Sequence, residues 1–258
     1  MHIKGKVAIV TGGAGGLGQA IIRALLEKEA KVCIFDIHAD RGAEIESSLQ
    51  SQFGGDKVSF SLCDVTDEQG FKEAFDGVVA RHGQVDVMIN NAGILSKKID
   101  IDKMLMVNLG GTIRGSNLAI KHMRKDEVGE GGVVVNVSSI AGLEPIFTVP
   151  AYTATKTGVV GFTRSWAANP YLKEMGLRFC LVCPTAFTSF IIPDPMTQAF
   201  YGEDAMKSME KNCHEGPKDI AASVIDLLEE DDSNGTIIHT RSKGQNRRVK
   251  IEVTDEST

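Results

Sequence analysis

An α/β fold, built as a doubly wound parallel sheet of about seven strands with helices on both faces in a single domain, is what this sequence predicts. Three observations carry that expectation. Short runs rich in Val and Ile recur at near-even intervals: KVAIV from residue 6, KVCIF from 31, VSFSL from 58, VDVMI from 85, VVVNV from 133, LRFCLV from 177 and TIIH from 236. They lack strict apolar-polar alternation, which is the signature of strands covered on both faces. Between them lie segments with helical periodicity, and strand-helix alternation of this length implies right-handed βαβ crossovers.

The first crossover shows the pattern well, because Leu17, Ile21, Ile22, Leu25 and Leu26 repeat at three and four and so share one helix face. In FKEAFDGVVARHG the same spacing sets Phe71, Phe75, Val78 and Val79 together, and a glycine closes the helix. Spacing between strands is even up to Met88 and then lengthens, which leaves room for substrate-handling material in the later connections. No repeat, low-complexity stretch or Pro-rich linker divides the 258 residues, so one domain is expected over 1–258, with a polar C-terminal tail from about 241.

Composition excludes several classes. A net charge of −6 argues against a nucleic-acid surface, which needs a concentrated positive footprint. Arg241, Lys243, Arg247, Arg248 and Lys250 do cluster, but Glu252, Asp255 and Glu256 follow at once, and a solvated tail is the expectation. No apolar run approaches the ~18 residues of a membrane span, and MHIKGKVAIVTGG runs straight into strand and glycine loop, so a cytoplasmic location is expected. Five cysteines, an odd number, suggest reduced thiols. Cys180 and Cys183 have a redox spacing, but they stand three apart in an apolar strand and should point to opposite faces of the core. None of the six histidines pairs at metal-ligand spacing, and no metal is expected.

Chemistry in such folds gathers beyond the carboxyl ends of the strands. After the first strand comes TGGAGGLGQAIIRALL, where Gly13, Gly15 and Gly18 fit G-x-G-x-x-G, and Thr11, Gly12, Gly16 and Gly18, with Leu17 between the last two, fit T-G-x-x-x-G-x-G. Glycine admits the tight turn, and the free N–H groups and dipole of the helix start favour a pyrophosphate. A bare glycine pattern is weak, but strand before, helix after and an acid about twenty residues on make it a Rossmann-type dinucleotide site. That acid is Asp36, followed by Ile37; a carboxylate there accepts both ribose hydroxyls and repels a 2′-phosphate, so NAD is expected over NADP. Cys63, Asp64 and Val65 follow the third strand where adenine should lie, and Asn90, Asn91, Ala92 and Gly93 follow the fourth.

In PAYTATK, Tyr152 and Lys156 sit four apart, on one helix face. A free phenol has a pKa of ~10, and a neighbouring cation favours its ionised form. Such a pair on an arbitrary helix is usually a surface pair, and Ser138-Ser139 after a strand is usually a turn or cap. The cofactor loop changes those odds.

Together TGGAGGLG, the acid of FD, CDV, NNAG, the Asn of MVN, NVSSIAG and YTATK stand in the order and spacing of the short-chain dehydrogenase/reductase family, which the chain resembles over nearly its whole length. The resemblance implies that Tyr152 is the general acid/base, that Lys156 lowers its pKa and holds the nicotinamide ribose, that Ser139 bonds the reacting oxygen, and that Asn108 anchors a water in the proton relay. It also implies homodimers or homotetramers formed through the Tyr-Lys helix and the helix preceding the fifth strand. The family usually carries Pro-Gly and then a threonine after the sixth strand; here Pro184 is kept and Thr185 replaces the glycine, both expected at the cofactor, and Thr188 and Ser189 compete for the threonine role there.

One branch of the family has a substrate-binding glutamine where Val149 stands, and losing that polar group favours an apolar ligand. The expected substrate is a lipophilic secondary alcohol or its ketone, lined by Phe147, Val149, Phe187, Phe190 and Ile191 and covered by a lid over 191–212. Two other readings share the site: a catalytically weak NAD-binding sensor or scaffold, and an NADP-linked carbonyl reductase. The intact Ser139, Tyr152, Lys156 and Asn108 weigh against the first, and Asp36 against the second.

Overall fold

The strands named above do pair in parallel. In the computed structural model, which describes residues 1–95, 100–147, 149–185, 216–241 and 246–251, the sheet has the order β3-β2-β1-β4-β5-β6-β7-β8. The elements are β1 (Val7–Thr11), α1 (Gly16–Glu27), β2 (Lys31–Asp36), α2 (Ala39–Phe53), β3 (Val58–Leu62), α3 (Glu68–His82) and β4 (Val87–Asn90). After them come α4 (Ile101–Leu105), a π-helical segment (Met106–Gly111), α5 (Thr112–Met123), β5 (Gly132–Val137), α6 (Pro150–Ala167), β6 (Leu177–Pro184), α7 (Pro217–Glu229), β7 (Ile237–Thr240) and β8 (Arg247–Arg248).

β1 feeds two cores. On β1, Ala8 and Val10 face a layer that includes Ile21, Ile22 and Leu25 of α1, Leu49 of α2 and Val224, Leu227 and Leu228 of α7. Val7 and Ile9 face Phe71 and Phe75 of α3 and Ala119 and Met123 of α5. This is the two-residue period of a strand applied to an all-apolar run, and it explains why the runs do not alternate with polar residues. Cys180 and Cys183 lie in different core clusters as unpaired thiols, with Cys183 on the side packed by Val159 and Val160 of α6.

One expectation about the C-terminal part needs correction. The sheet of about seven strands is there, with a two-residue eighth strand at its edge among the described residues, and the chain from 247 to 251 is not a solvated tail. β8 pairs antiparallel with β7, matching Ile238 with Arg248 and His239 with Arg247. Val249 N donates to Ile237 O at 2.9 Å, while Val249 and Ile251 pack against the cluster of Leu181, Cys183 and Ile237. The run of basic charge hides a short alternation in which Val249 and Ile251 share one face and Arg248 and Lys250 the other.

The order of strands reverses between β1 and β4, so the loops after these two strands diverge and open a crevice at the carboxyl edge. Among the described residues, the glycine loop, Asp36 and Ser139 lie along that edge, Tyr152 and Lys156 on α6, and Asn108 in the π-helical segment. Phe187, Thr188, Phe190, Ile191 and the expected lid fall outside the described residues.

Candidate active site

At the β1 end of the crevice the chain turns into α1 through its glycines. Gly12 has φ of +63°, where side chains are strained, and a Cβ added there would stand 2.9 Å from Ala92 Cα. A Cβ on Gly18 would collide with Gly12 O and lie 2.7 Å from Gly13 Cα, so the loop folds directly onto the first turn of the helix. No side chain caps Gly15, and no acid occupies the first turn. The first N–H groups of α1 and its positive dipole end therefore face the crevice, which fits a pyrophosphate.

Asp36 stands opposite that loop. Its carboxylate is nearly buried and is aimed by two backbone donors, Ala14 N at 2.9 Å and His38 N at 3.1 Å. Ile37 and Leu62 beside it are 54% and 62% exposed, an apolar surface at the strand ends suited to a flat aromatic ring, whereas Cys63 and Val65 are buried. Asp64 is occupied locally, accepting from Thr66 N and Thr66 Oγ1, both at 2.8 Å. The side chains of Thr11 and Asn91 work on the scaffold: Thr11 Oγ1 accepts from Asn91 N and Ala92 N at 3.1 Å, and Asn91 Nδ2 donates to Thr11 O at 2.9 Å and Gly12 O at 3.1 Å. They stitch the β4 loop to the glycine loop. Glycine cradle, bare helix start and aimed acid together fit a dinucleotide, which Gly12, Gly16, Leu17, Gly18 and Asp36 would hold.

The second half of the site lies past β4 and β5. Ser139 caps the short turn Ile140–Gly142, its Oγ accepting from Ala141 N at 3.2 Å, and its side chain also hydrogen-bonds Tyr152. Pro150 starts α6, a position where its missing N–H costs nothing, and the helix then presents Tyr152, Thr155, Lys156 and Val159 inward. The Lys156 ammonium lies 5.7 Å from the Tyr152 ring centroid and donates to Val137 O at 3.0 Å. Gly93 leaves room beside it, for a Cβ there would stand 3.3 Å from Lys156 Nζ and 3.5 Å from Asn108 Oδ1.

Asn108 sits fully buried in the π-helical segment. Its Oδ1 accepts from Ile94 N at 2.8 Å, and its Nδ2 donates to Ile94 O at 3.0 Å and Thr155 Oγ1 at 3.1 Å. Both amide hydrogens are thus engaged, and Asn108 ties the loop after β4 to α6. Residue type does not single out Thr155, while Ser138 is the weaker candidate beside Ser139. Thr155 Oγ1 donates to Tyr152 O at 2.7 Å, and Ser138 Oγ donates to Lys156 O at 2.9 Å, so each braces one turn of α6. The available signal for Thr155 was its place one turn after Tyr152 on the same helix face.

Burial sets the protonation states. It pushes the Tyr152 phenol up to about 12, against the Ser139 hydrogen bond, which acts the other way. Burial also pulls the Lys156 ammonium down to about 8. Cys183, packed beneath them, is pushed up to about 12 by its own burial and stays a neutral thiol. Met104, Ala141 and Tyr152 form an apolar cluster joined by Ile94, Ile146, Val149 and Ala151, so Val149 does border Tyr152. Phe147, expected beside Val149 in the substrate lining, is 92% exposed. Beyond β6, Thr185 Oγ1 donates to Thr240 O at 2.6 Å, turning toward β7. Among the described residues no group of His, Cys, Asp or Glu gathers as a metal site, and no helix is long and apolar enough to cross a membrane.

A phosphate cradle over one half of a parallel sheet and a buried phenol-ammonium pair over the other define a dinucleotide-linked oxidoreductase. Residues 6–194 match the short chain dehydrogenase family, and the chain belongs to that family. It is 40% identical over 253 residues to human 15-hydroxyprostaglandin dehydrogenase [NAD(+)], covering 95% of this chain and 94% of that protein. It is 35% identical over 246 residues to the NADP-dependent (R)-specific alcohol dehydrogenase of Lentilactobacillus kefiri, with 91% and 94% covered. The crystal structure of levodione reductase superposes with a TM-score of 0.80 at 27% identity, over 92% of this chain and 96% of that one.

The buried ammonium has a measurable consequence. A folded-state pKa of about 8 against an ordinary 10.5 means that holding Lys156 charged opposes folding by roughly 3 kcal/mol below pH 8, a cost that fades as pH rises toward 10.5. Lys156→Met removes that cost but leaves Val137 O without its donor, so the variant should be at least as stable as the parent at pH 7. Its advantage in urea melts should shrink between pH 8 and 10. A variant several kcal/mol less stable at pH 7 contradicts the assignment of a strained, buried cation.

Proposed function

We propose that this chain is an NAD-dependent alcohol dehydrogenase that interconverts a lipophilic secondary alcohol and its ketone. The observation that carries the reading is the convergence of Ser139, Tyr152 and Lys156 at the carboxyl ends of β5 and β6, beside a crevice whose other half holds the glycine cradle and Asp36. NAD as the cofactor is supported by Asp36, whose carboxylate faces the place of a ribose and would repel a 2′-phosphate, and by the NAD-linked relative.

In oxidation the Ser139 hydroxyl orients the alcohol oxygen, Tyr152 takes its proton, and the carbinol carbon gives up hydride as its C–O bond becomes a carbonyl. Bound NAD supplies the hydride acceptor and, when oxidised, a second positive charge in the site. Lys156 holds the phenolate by Coulomb attraction. At about 6 Å and an effective dielectric of ~20, that attraction is worth roughly 3 kcal/mol, or about two powers of ten in acidity. In the chain, with Lys156 beside it, burial still leaves the phenol pushed up to about 12, so one cation does not bring it to neutrality. The chain alone therefore holds Tyr152 protonated, and the acid/base step is coupled to cofactor loading.

Lys156 directs one of its three hydrogens to Val137 O, which leaves two to orient a ribose hydroxyl. Asn108 and Thr155 keep α6 at the right height for this. The apolar border of Ile94, Met104, Ile146 and Val149 suits a substrate whose carbinol is flanked by hydrocarbon, because a polar neighbour would lose its hydrogen bonds there.

Tyr152→Phe should retain NAD binding while turnover of a good secondary alcohol falls by on the order of 1,000-fold. Turnover within tenfold of the parent, followed by NADH absorbance, would remove Tyr152 from the acid/base role. For the cofactor, Asp36→Ala should raise the kcat/KM ratio of NADP to NAD by at least ~30-fold. Equal use of NAD and NADP by the parent chain contradicts the role given to Asp36.

A further inference from the structure

We propose that Thr185 is a positioning residue for the cofactor side of the site, fastening the exit of β6 to β7 through its hydroxyl; the proposal rests on the NAD reading above. The parallel ladder between β6 and β7 ends at Pro184 paired with Thr240. One residue later the Thr185 Oγ1 donates to Thr240 O at 2.6 Å, adding a side-chain rung where backbone pairing has stopped. Thr240 is fully buried, so this carbonyl has no water to fall back on if the hydroxyl is removed.

The same hydroxyl oxygen lies 3.4 Å from His239 Nε2. His239 is almost entirely buried, and burial, followed by the nearby Arg241, holds its pKa below the ordinary histidine value, so the ring is neutral near pH 7. In the tautomer with hydrogen on Nε2, the ring donates to Thr185 while Thr185 donates to Thr240, an ordered chain of three groups.

The fastening sits at the height of the chemistry. β5 and β6 pair Val137 with Val182, and Ser138 N donates to Val182 O at 2.8 Å. Pro184 ends β6 two residues beyond that pair, and Ser139 stands two residues beyond it on the chain leaving β5, the strand next to β6. Thr185 therefore controls the backbone that leaves the sheet directly beside the Ser139 and Lys156 side of the crevice. A glycine there could neither supply the hydroxyl nor limit the backbone, and any ligand seated against this exit would have to order it on binding.

Four chains decide the matter: the parent, Thr185→Val (shape kept, hydroxyl lost), Thr185→Ser (hydroxyl kept) and Thr185→Gly. NADH is titrated into each by fluorescence, KM for NAD and kcat are measured with one alcohol, and melting curves confirm folding. The valine and glycine variants should bind NADH at least ~5-fold more weakly, the worth of one hydrogen bond, and raise KM for NAD in proportion while kcat changes less. Serine should restore affinity to within about twofold of the parent, well inside that one-bond loss. NADH affinity unchanged in the valine variant, or a loss that serine does not restore, overturns the proposal. If the valine chain fails to fold, the serine and glycine pair carries the same comparison. A parent that binds NADH but oxidises no alcohol refutes the dehydrogenase reading alone, because the NADH titrations still test Thr185; a parent that binds no NADH refutes both.

Discussion

A buried ammonium held beside a buried phenol is the constraint on which the rest of this structure depends. Lys156 is 3% exposed and Tyr152 6%, so neither can rely on water for its charge. Each shifts toward its neutral form, the lysine down and the tyrosine up, when only the chain surrounds them. Charges held in such surroundings attract one another strongly, which makes the pair responsive to any further cation brought into the crevice. On the dehydrogenase reading proposed above, the site would act as acid or base once its cofactor is loaded and stay protonated at Tyr152 before that.

Much of the surrounding structure reads as support for that arrangement. Ser138 and Thr155 brace consecutive turns of α6 through their hydroxyls, and Asn108 binds the helix to the loop after β4. That asparagine lies in a π-helical segment, an irregularity that long helices usually avoid and that recurs at functional sites. On the cofactor side, Thr11 and Asn91 hold two loops together so that the glycine turn keeps its shape. A buried ladder runs beneath both halves, from Asn90 to Ser116 and Asn136 and on to Thr163, joining β4 and β5 to α5 and α6. Conformational precision is set by polar groups with few alternative partners, and stability by the two apolar layers around them.

How far could the residues alone be read? The fold was accessible because seven apolar runs and the periodic stretches between them follow directly from strand and helix geometry. The places of Gly12, Gly18, Asp36, Ser139, Tyr152 and Lys156 were accessible because each sits immediately after a strand or at a fixed helical interval. Three things were not. Arg247 and Arg248 read as a charged tail, since a two-residue strand on the sheet edge leaves almost no periodic signal. The exposure of Phe147 depends on a loop conformation that no local pattern dictates. The direction of the Tyr152 shift was hidden because a cation four residues away is visible in sequence, whereas burial by residues from several elements is not.

The most direct measurement is an ultraviolet titration of the tyrosinate signal, using the chain with phenylalanine in place of Tyr152 as the blank, run with and without saturating NAD. The account predicts that the phenol resists ionisation until high alkali in the chain alone and becomes at least about 100-fold more acidic when oxidised cofactor is bound. A phenol whose titration is the same in both conditions would contradict it.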